Sequence, residues 1–323
     1  MTIKMIKPIT QSREWQRLQD DLNQPCFFEK GIDYQYLAIL HSTPVGKYLY
    51  LPYGPIASDG AGFQAAIGSL MRLAKKQHAI FVRVEPQNTD FSQFLPTSSV
   101  KVKDISPADT WVLDLTADKE QIIRNFSQGT RTRFHNYMKK GLTVETTRDT
   151  EQIHHLVELQ NRLFNKKHLT AYDESYLKAE LRQPFSTLYL VHYNQENDTT
   201  RGDSATDSHT TPSDGQVLAA SLFFDYGGTR YYMQSAADQD YKKLPATVAL
   251  LTSAIFDAKE QGIKRFDFWG IAPDGAPASH PWHGFTEFKK SFGGEARHYA
   301  GTYDIILQPL RYRLYQFLRS IRP

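Results

Sequence analysis

Two stretches carry residue types that could do chemistry. The first is basic: Arg124, Arg131, Arg133, Lys139 and Lys140 fall within 124–140, and no acid occurs from Gln121 through Val144. Guanidinium groups suit phosphate because their planar fork donates paired hydrogen bonds. Phe134, Tyr137 and Met138 alternate with the cations, so the spacing predicts one helix with an apolar side and a cationic side. A solvated helix face would have the same pattern, although the missing acids favour an anionic partner. The second stretch runs from Phe266-Asp267-Phe268-Trp269-Gly270 through a Pro/Gly-rich loop bearing Asp274, His280 and His283. It ends in Gly284-Phe285-Thr286-Glu287-Phe288-Lys289-Lys290-Ser291-Phe292-Gly293-Gly294. The expected arrangement is a strand, a tight loop and a short helix presenting Lys289, and loops at strand ends are where reacting groups collect. Taken alone, a lysine is more often solvated than catalytic, and Trp269 and Trp282 are more often packing residues than substrate platforms.

Other chemistries have little support. Cys26 is the single cysteine, which excludes an intrachain disulfide and a multi-cysteine metal site. It has no local histidine partner, and the histidines lack metal-ligand spacing, so neither a thiol nucleophile nor a metal or other cofactor is expected. With 323 residues, 40% hydrophobic and 23% charged, the chain is long enough for two domains with sizeable cores. A formal charge of +3 is too small to signal nucleic-acid binding by itself, so an anionic partner must be met by local clusters. No signal-peptide pattern follows Met1, and no run approaches the roughly 20 apolar residues that span a bilayer. The expected location is cytoplasmic, with the inner face of the cell membrane as the other candidate.

The elements that must position these groups recur in a strand–helix–strand plan. Residues 46–51 and 79–84 read as strands, and 62–76, with apolar residues at Phe63, Ala66, Ile67, Leu70 and Leu73, as the helix between them. A strand at 111–115 follows. A second series comprises helices at 153–164 and 173–181 and strands at 187–193, 217–224 and 230–233. A helix opened by Pro245 then runs to about Glu260, and a strand occupies 265–269. Residues 195–216 are almost wholly Asp, Ser, Thr, Gly and Asn, and read as a hairpin insertion with the composition of a disordered loop.

Phe266-Asp267-Phe268-Trp269-Gly270, the loop after it and the run from Gly284 to Gly294, together with Tyr231-Tyr232-Met233-Gln234-Ser235-Ala236, Leu244-Pro245-Ala246 and the basic run from Arg131 to its Lys-Gly end at Gly141, resemble the FemABX family. The resemblance runs from about residue 46 to the C-terminus and is strongest over 217–301. It implies an α/β (α+β) chain of two tandem GNAT-like domains, mixed sheets flanked by helices. The first domain would be 1–120 plus 305–323, and the second 121–304. It further implies transfer of an amino acid from aminoacyl-tRNA to the stem-peptide side-chain amine of a peptidoglycan precursor, either lipid II or UDP-MurNAc-pentapeptide. On that reading Lys289 stabilises the transition state and Phe288 lies near the tRNA end. Tyr232, Trp269, Lys242, Lys243, Arg131 and Arg133 serve the aminoacyl-tRNA, while Glu85, Tyr172 and Tyr176 meet the acceptor peptide. Aminolysis of an ester passes through an oxyanion that a positioned ammonium stabilises where water is excluded.

Two rival readings are a GNAT-fold enzyme using acyl-CoA and a non-catalytic RNA- or membrane-binding relative. The CoA pyrophosphate is bound by a glycine-bearing loop before a helix, whereas Tyr241-Lys242-Lys243-Leu244-Pro245-Ala246 has no glycine there. In the tail, Leu310, Leu314, Phe317, Leu318 and Ile321 share a helical face while Arg311, Arg313, Arg319 and Arg322 crowd the rest. Such a helix either docks on its own domain or lies on an anionic membrane.

Overall fold

The computed structural model describes residues 7–167, 172–200 and 211–321, with side chains 164–167 excepted. The chain divides into two compact units, residues 1–110 with 297–323 and residues 111–296.

The first unit begins with α1 (Arg13–Asp21), β1 (Cys26–Lys30), β2 (Tyr34–Thr43), β3 (Gly46–Leu51) and the short β4 (Ile56–Ala57). Next come α2 (Gly60–Lys76), β5 (Ala79–Val84) and β6 (Ser99–Lys101). Asp59 caps α2 by accepting from the Gly62 amide at 2.8 Å. The helix then returns the chain so that β3 and β5 pair in parallel. Its apolar side, led by Phe63, Ala66, Ile67 and Leu70, packs on Leu49, Leu51, Val82 and Val84. The strands β1 and β2, over residues 26–43, went unassigned in the sequence because their residues mix polar and apolar without a clean alternation.

The second unit contains β7 (Asp109–Asp114), α3 (Lys119–Asn125), α4 (Gln128–Asn136), β8 (Lys140–Thr147), α5 (Ile153–Lys167) and α6 (Glu174–Arg182). It continues with β9 (Ser186–Asp198), β10 (Val217–Tyr226), β11 (Thr229–Ala237), α7 (Ala246–Glu260), β12 (Arg265–Gly270), α8 (His283–Lys290) and β13 (Glu295–His298). Its sheet runs β13-β7-β12-β11-β10-β9-β8. The crossover helix α7 is buried along most of its length. Arg230, itself buried, fixes α7 against β11 by donating to the Ala254 carbonyl at 2.9 Å while pairing with Asp225. The chain then closes the first unit with β14 (Tyr303–Ile306) and α9 (Pro309–Ser320). β14 enters the first sheet between β5 and β6, giving the order β1-β2-β3-β5-β14-β6 with β4 beside β2. The fold class is thus the expected mixed α/β one, with two mixed sheets flanked by helices.

Several local expectations change. The basic stretch 124–140 is not one helix: Arg124 lies at the end of α3, Arg131 and Arg133 lie on α4, which Ser127 caps by accepting from the Thr130 amide, and Lys140 opens β8. Pro245 takes the N-cap of α7 instead of a first-turn position. Residues 195–198 of the supposed insertion continue β9, whose Asp198 pairs with Lys140 of β8. Residues 201–210 of that insertion lie outside the described residues.

Candidate functional site

In the second unit the parallel pairing of β11 with β12 covers only Thr229 with Arg265, Arg230 with Phe266 and Tyr231 with Asp267. β11 then continues to Ala237 and β12 to Gly270, so the two strands part. Phe266 and Phe268 point into the core while Asp267, also buried, points the other way and accepts the Trp269 amide at 2.8 Å. That contact accompanies a left-handed backbone at Trp269 (φ 66°), uncommon outside glycine, which turns β12 into the loop. The Trp269 ring meets Tyr231 edge-on, with centroids 6.1 Å apart.

The loop is tied back to α8 by Thr286, whose buried hydroxyl accepts the Ala272 amide at 2.8 Å. This arrangement aims Lys289 at the end of β12, where its ammonium donates to the Gly270 carbonyl. Burial pushes the ammonium down to about 8, with the charge of Asp267 pulling it part of the way back. Phe288, next to it, turns to the core and meets Phe292 edge-on at 5.3 Å. Trp282 and Phe285, at the start of α8, are both exposed. The two glycines after α8 are sterically required: both have positive φ, and a Cβ on Gly294 would stand 2.4 Å from the Val112 carbonyl oxygen.

The basic helices adjoin the same motif. The Ser127 amide donates to the Ser291 carbonyl at 2.7 Å, and the Thr130 and Ser291 hydroxyls are 2.8 Å apart. Arg131 donates to the carbonyls of Arg124 and Phe126 and so closes the C-terminus of α3, whereas Arg133 is exposed. Lys242 and Lys243 are exposed on the turn between β11 and α7. Tyr232 stacks on Phe223 at 5.5 Å, with burial raising its phenol. Tyr172 and Tyr176 stack on each other at 5.6 Å at the start of α6. Lys289, Trp269 and the α3–α4 junction are therefore brought together around one motif, while Phe288 and Tyr232 serve mainly as packing.

Glu85 belongs to the first unit. It is buried and accepts from the Tyr50 hydroxyl (3.1 Å), the Ser106 amide (3.0 Å), the Thr302 hydroxyl (2.9 Å) and the Tyr53 amide (3.2 Å). Tyr50 also lines a cavity of about 430 Å³ with His41, Tyr48, Arg83, Tyr315 and Arg319.

Sequence reasoning missed Glu180, which is fully buried on α6 beside Tyr176 and Gln234. Burial pushes its carboxyl up to about 8, with Tyr176 and Gln234 pulling it back. The available signal was its place between Leu177 and Leu181 on the apolar side of the helix. Among the described residues, no group of three or more His, Cys, Asp or Glu side chains could hold a metal ion.

Residues 190–320 match the model of the FemAB family. No curated protein matches it at a significant level. Among solved structures it is similar to FemX, at 17% identity and TM-score 0.78, over 95% of this chain and 94% of that one. The C-terminal domain of a putative lysylphosphatidylglycerol synthetase from Agrobacterium fabrum is similar at 12% identity and TM-score 0.60, over 95% and 91%. L-PGS from Bacillus licheniformis follows at 13% and 0.59, over 98% of both chains. At these identities the structural likenesses speak to the fold.

Proposed function

We propose that the protein transfers an aminoacyl group from aminoacyl-tRNA to the side-chain amine of a peptidoglycan precursor's stem peptide. The observation that carries this reading is the buried ammonium of Lys289 at the end of β12, where β11 and β12 part. The acceptor amine attacks the ester carbonyl and a C–N bond forms. The carbonyl oxygen takes on negative charge, and the bond to the ribose oxygen then breaks. The proton lost by the amine ends on that departing oxygen. Lys289 neutralises the charge at the intermediate, and partial exclusion of water strengthens the effect. An ester of tRNA is already activated, so the chemistry calls for no nucleophilic side chain. Exposed Trp282 and Phe285 offer stacking faces to the unpaired end of the acceptor stem, and Arg133, Lys242 and Lys243 offer cations to its phosphates. The Tyr172–Tyr176 pair remains the candidate for the acceptor peptide, whereas Glu85, buried and accepting from four donors of its own unit, serves the fold there. The protein would work in the cytoplasm, where charged tRNA is found.

The test is to incubate the protein with a pool of charged tRNAs and, in separate reactions, lipid II, UDP-MurNAc-pentapeptide and phosphatidylglycerol, then weigh the products. A precursor heavier by one amino-acid residue is the expected result. Modification of the phospholipid alone would move the acceptor from peptide to lipid, and transfer only from an acyl-CoA would overturn the reading.

A further inference from the structure

α9 meets its own unit through one side only. Tyr312 is buried against Ile80 and Phe81, and its hydroxyl donates to Asp304 at 2.9 Å. Tyr315 packs on the same cluster, and Leu318 lines the nearby cavity. On the other side Leu310, Leu314, Phe317 and Ile321 are 81%, 48%, 61% and 61% exposed. Their spacing of four, three and four residues makes a continuous row along the helix. These four are among the eleven exposed large apolar side chains of the described residues and the only ones in a continuous helical row, and an exposed apolar row of this kind marks a contact surface.

Charge selects the occupant. Arg311, Arg313 and Arg319 are exposed beside the row, and after Asp304 the sequence holds four arginines and no acid. A second copy docking by the same row about a two-fold axis would bring these arginines together, which disfavours self-association. An anionic lipid surface complements both features, taking the apolar row among its acyl chains and the guanidinium groups at its phosphates. With 12 residues, α9 is far too short to span a bilayer. No helix among the described residues is long and apolar enough to do so. We propose that α9 is a membrane-surface anchor: the row Leu310–Leu314–Phe317–Ile321 inserts shallowly into an anionic bilayer while Tyr312 and Tyr315 keep the helix seated on the first unit. This stands independently of the transfer reaction, and if both hold, the acceptor is lipid-linked.

The experiment is co-sedimentation of the full chain with vesicles of pure phosphatidylcholine and of phosphatidylcholine mixed with phosphatidylglycerol, whose negative surface attracts basic segments. The expected result is at least about tenfold tighter association with the anionic vesicles, weakened by salt. The double variant Leu314→Glu/Phe317→Glu should lose that association while keeping the wild-type melting temperature, since both side chains are exposed. A Phe317→Trp variant should bind and show blue-shifted emission on anionic vesicles. Equal binding of wild type to both vesicle types, or none to either, overturns the proposal. So does a wild-type dimer in sedimentation that the double variant dissolves without any vesicle binding. Transfer to a soluble acceptor by the double variant would be unaffected, so failure of the anchor and failure of the proposed reaction are separable.

Discussion

The ammonium of Lys289 donates to the carbonyl of Gly270, the last residue of β12, so the cation is held by the backbone of the strand whose end it guards. An ammonium so placed is oriented without losing its charge to a close acid. Lys289→Met is expected to lower aminoacyl transfer by roughly 10²-fold or more. Folding should change little, since methionine is close in length to the half-buried lysine stem. Single-turnover assays with charged tRNA, beside thermal melts, check this; wild-type turnover would remove Lys289 from the mechanism.

The same cation sets a pH limit. Its folded value, about 8, lies below the ordinary lysine range. The charged form needed at the oxyanion is therefore lost as pH rises through about 8, and transfer should fall with it. Lys289→Arg, charged throughout, should have lower peak activity but no decline in that window. A wild-type rate that stays flat from pH 7 to 9.5 after correction for ester hydrolysis would refute the assignment.

Arg131 and Arg133 looked alike in sequence and differ in structure. Arg131→Ala removes the donor that closes α3 and should cost about 0.5–1.5 kcal/mol of stability. Arg133→Ala should cost almost nothing yet weaken tRNA binding, more so at low salt. Denaturant titration and filter binding at two salt concentrations separate the two effects.

Glu180 makes stability depend on pH. Its folded value, about 8, stands above the unfolded carboxylate value near 4.5, so between these limits the folded state holds a proton that the unfolded state has released. Stability from this group is present below pH 4.5 and is lost as pH rises, by about 1.4 kcal/mol per unit at most until pH 8. Glu180→Gln should remove that slope and be more stable than wild type at pH 8.5, while matching it near pH 5. Melts across pH read the difference directly.

Much of the scaffold was legible. Residues 46–51 and 79–84 announced themselves as β-branched or aromatic runs ending at proline turns, and 62–76 as a helix by its apolar spacing. The motif around Lys289 was legible too, because its glycines answer a backbone requirement that leaves a mark in sequence. What stayed hidden depends on contacts between distant residues. Ser127 reads as one more polar residue until Ser291 arrives to pair with its amide. In the tail the leucines were the obvious docking face, yet the tyrosines dock, because Tyr312 brings a hydroxyl that Asp304 can accept.

Arg83 and Asp304 form a buried bidentate pair, 2.7 Å on both arms, between β5 and β14. Asp304→Ala leaves the guanidinium without its partner and should cost roughly 3–5 kcal/mol. Chemical denaturation measures the loss.

The insertion of β14 between β5 and β6 also has a consequence for how the chain is made. As the ribosome delivers residues in order, β5 and β6 emerge early but cannot be bridged until residues 303–306 clear the exit tunnel, after the whole of residues 111–296. Residues 111–296 will by then have had time to form their own sheet, so the portion synthesised first is the one that finishes folding last.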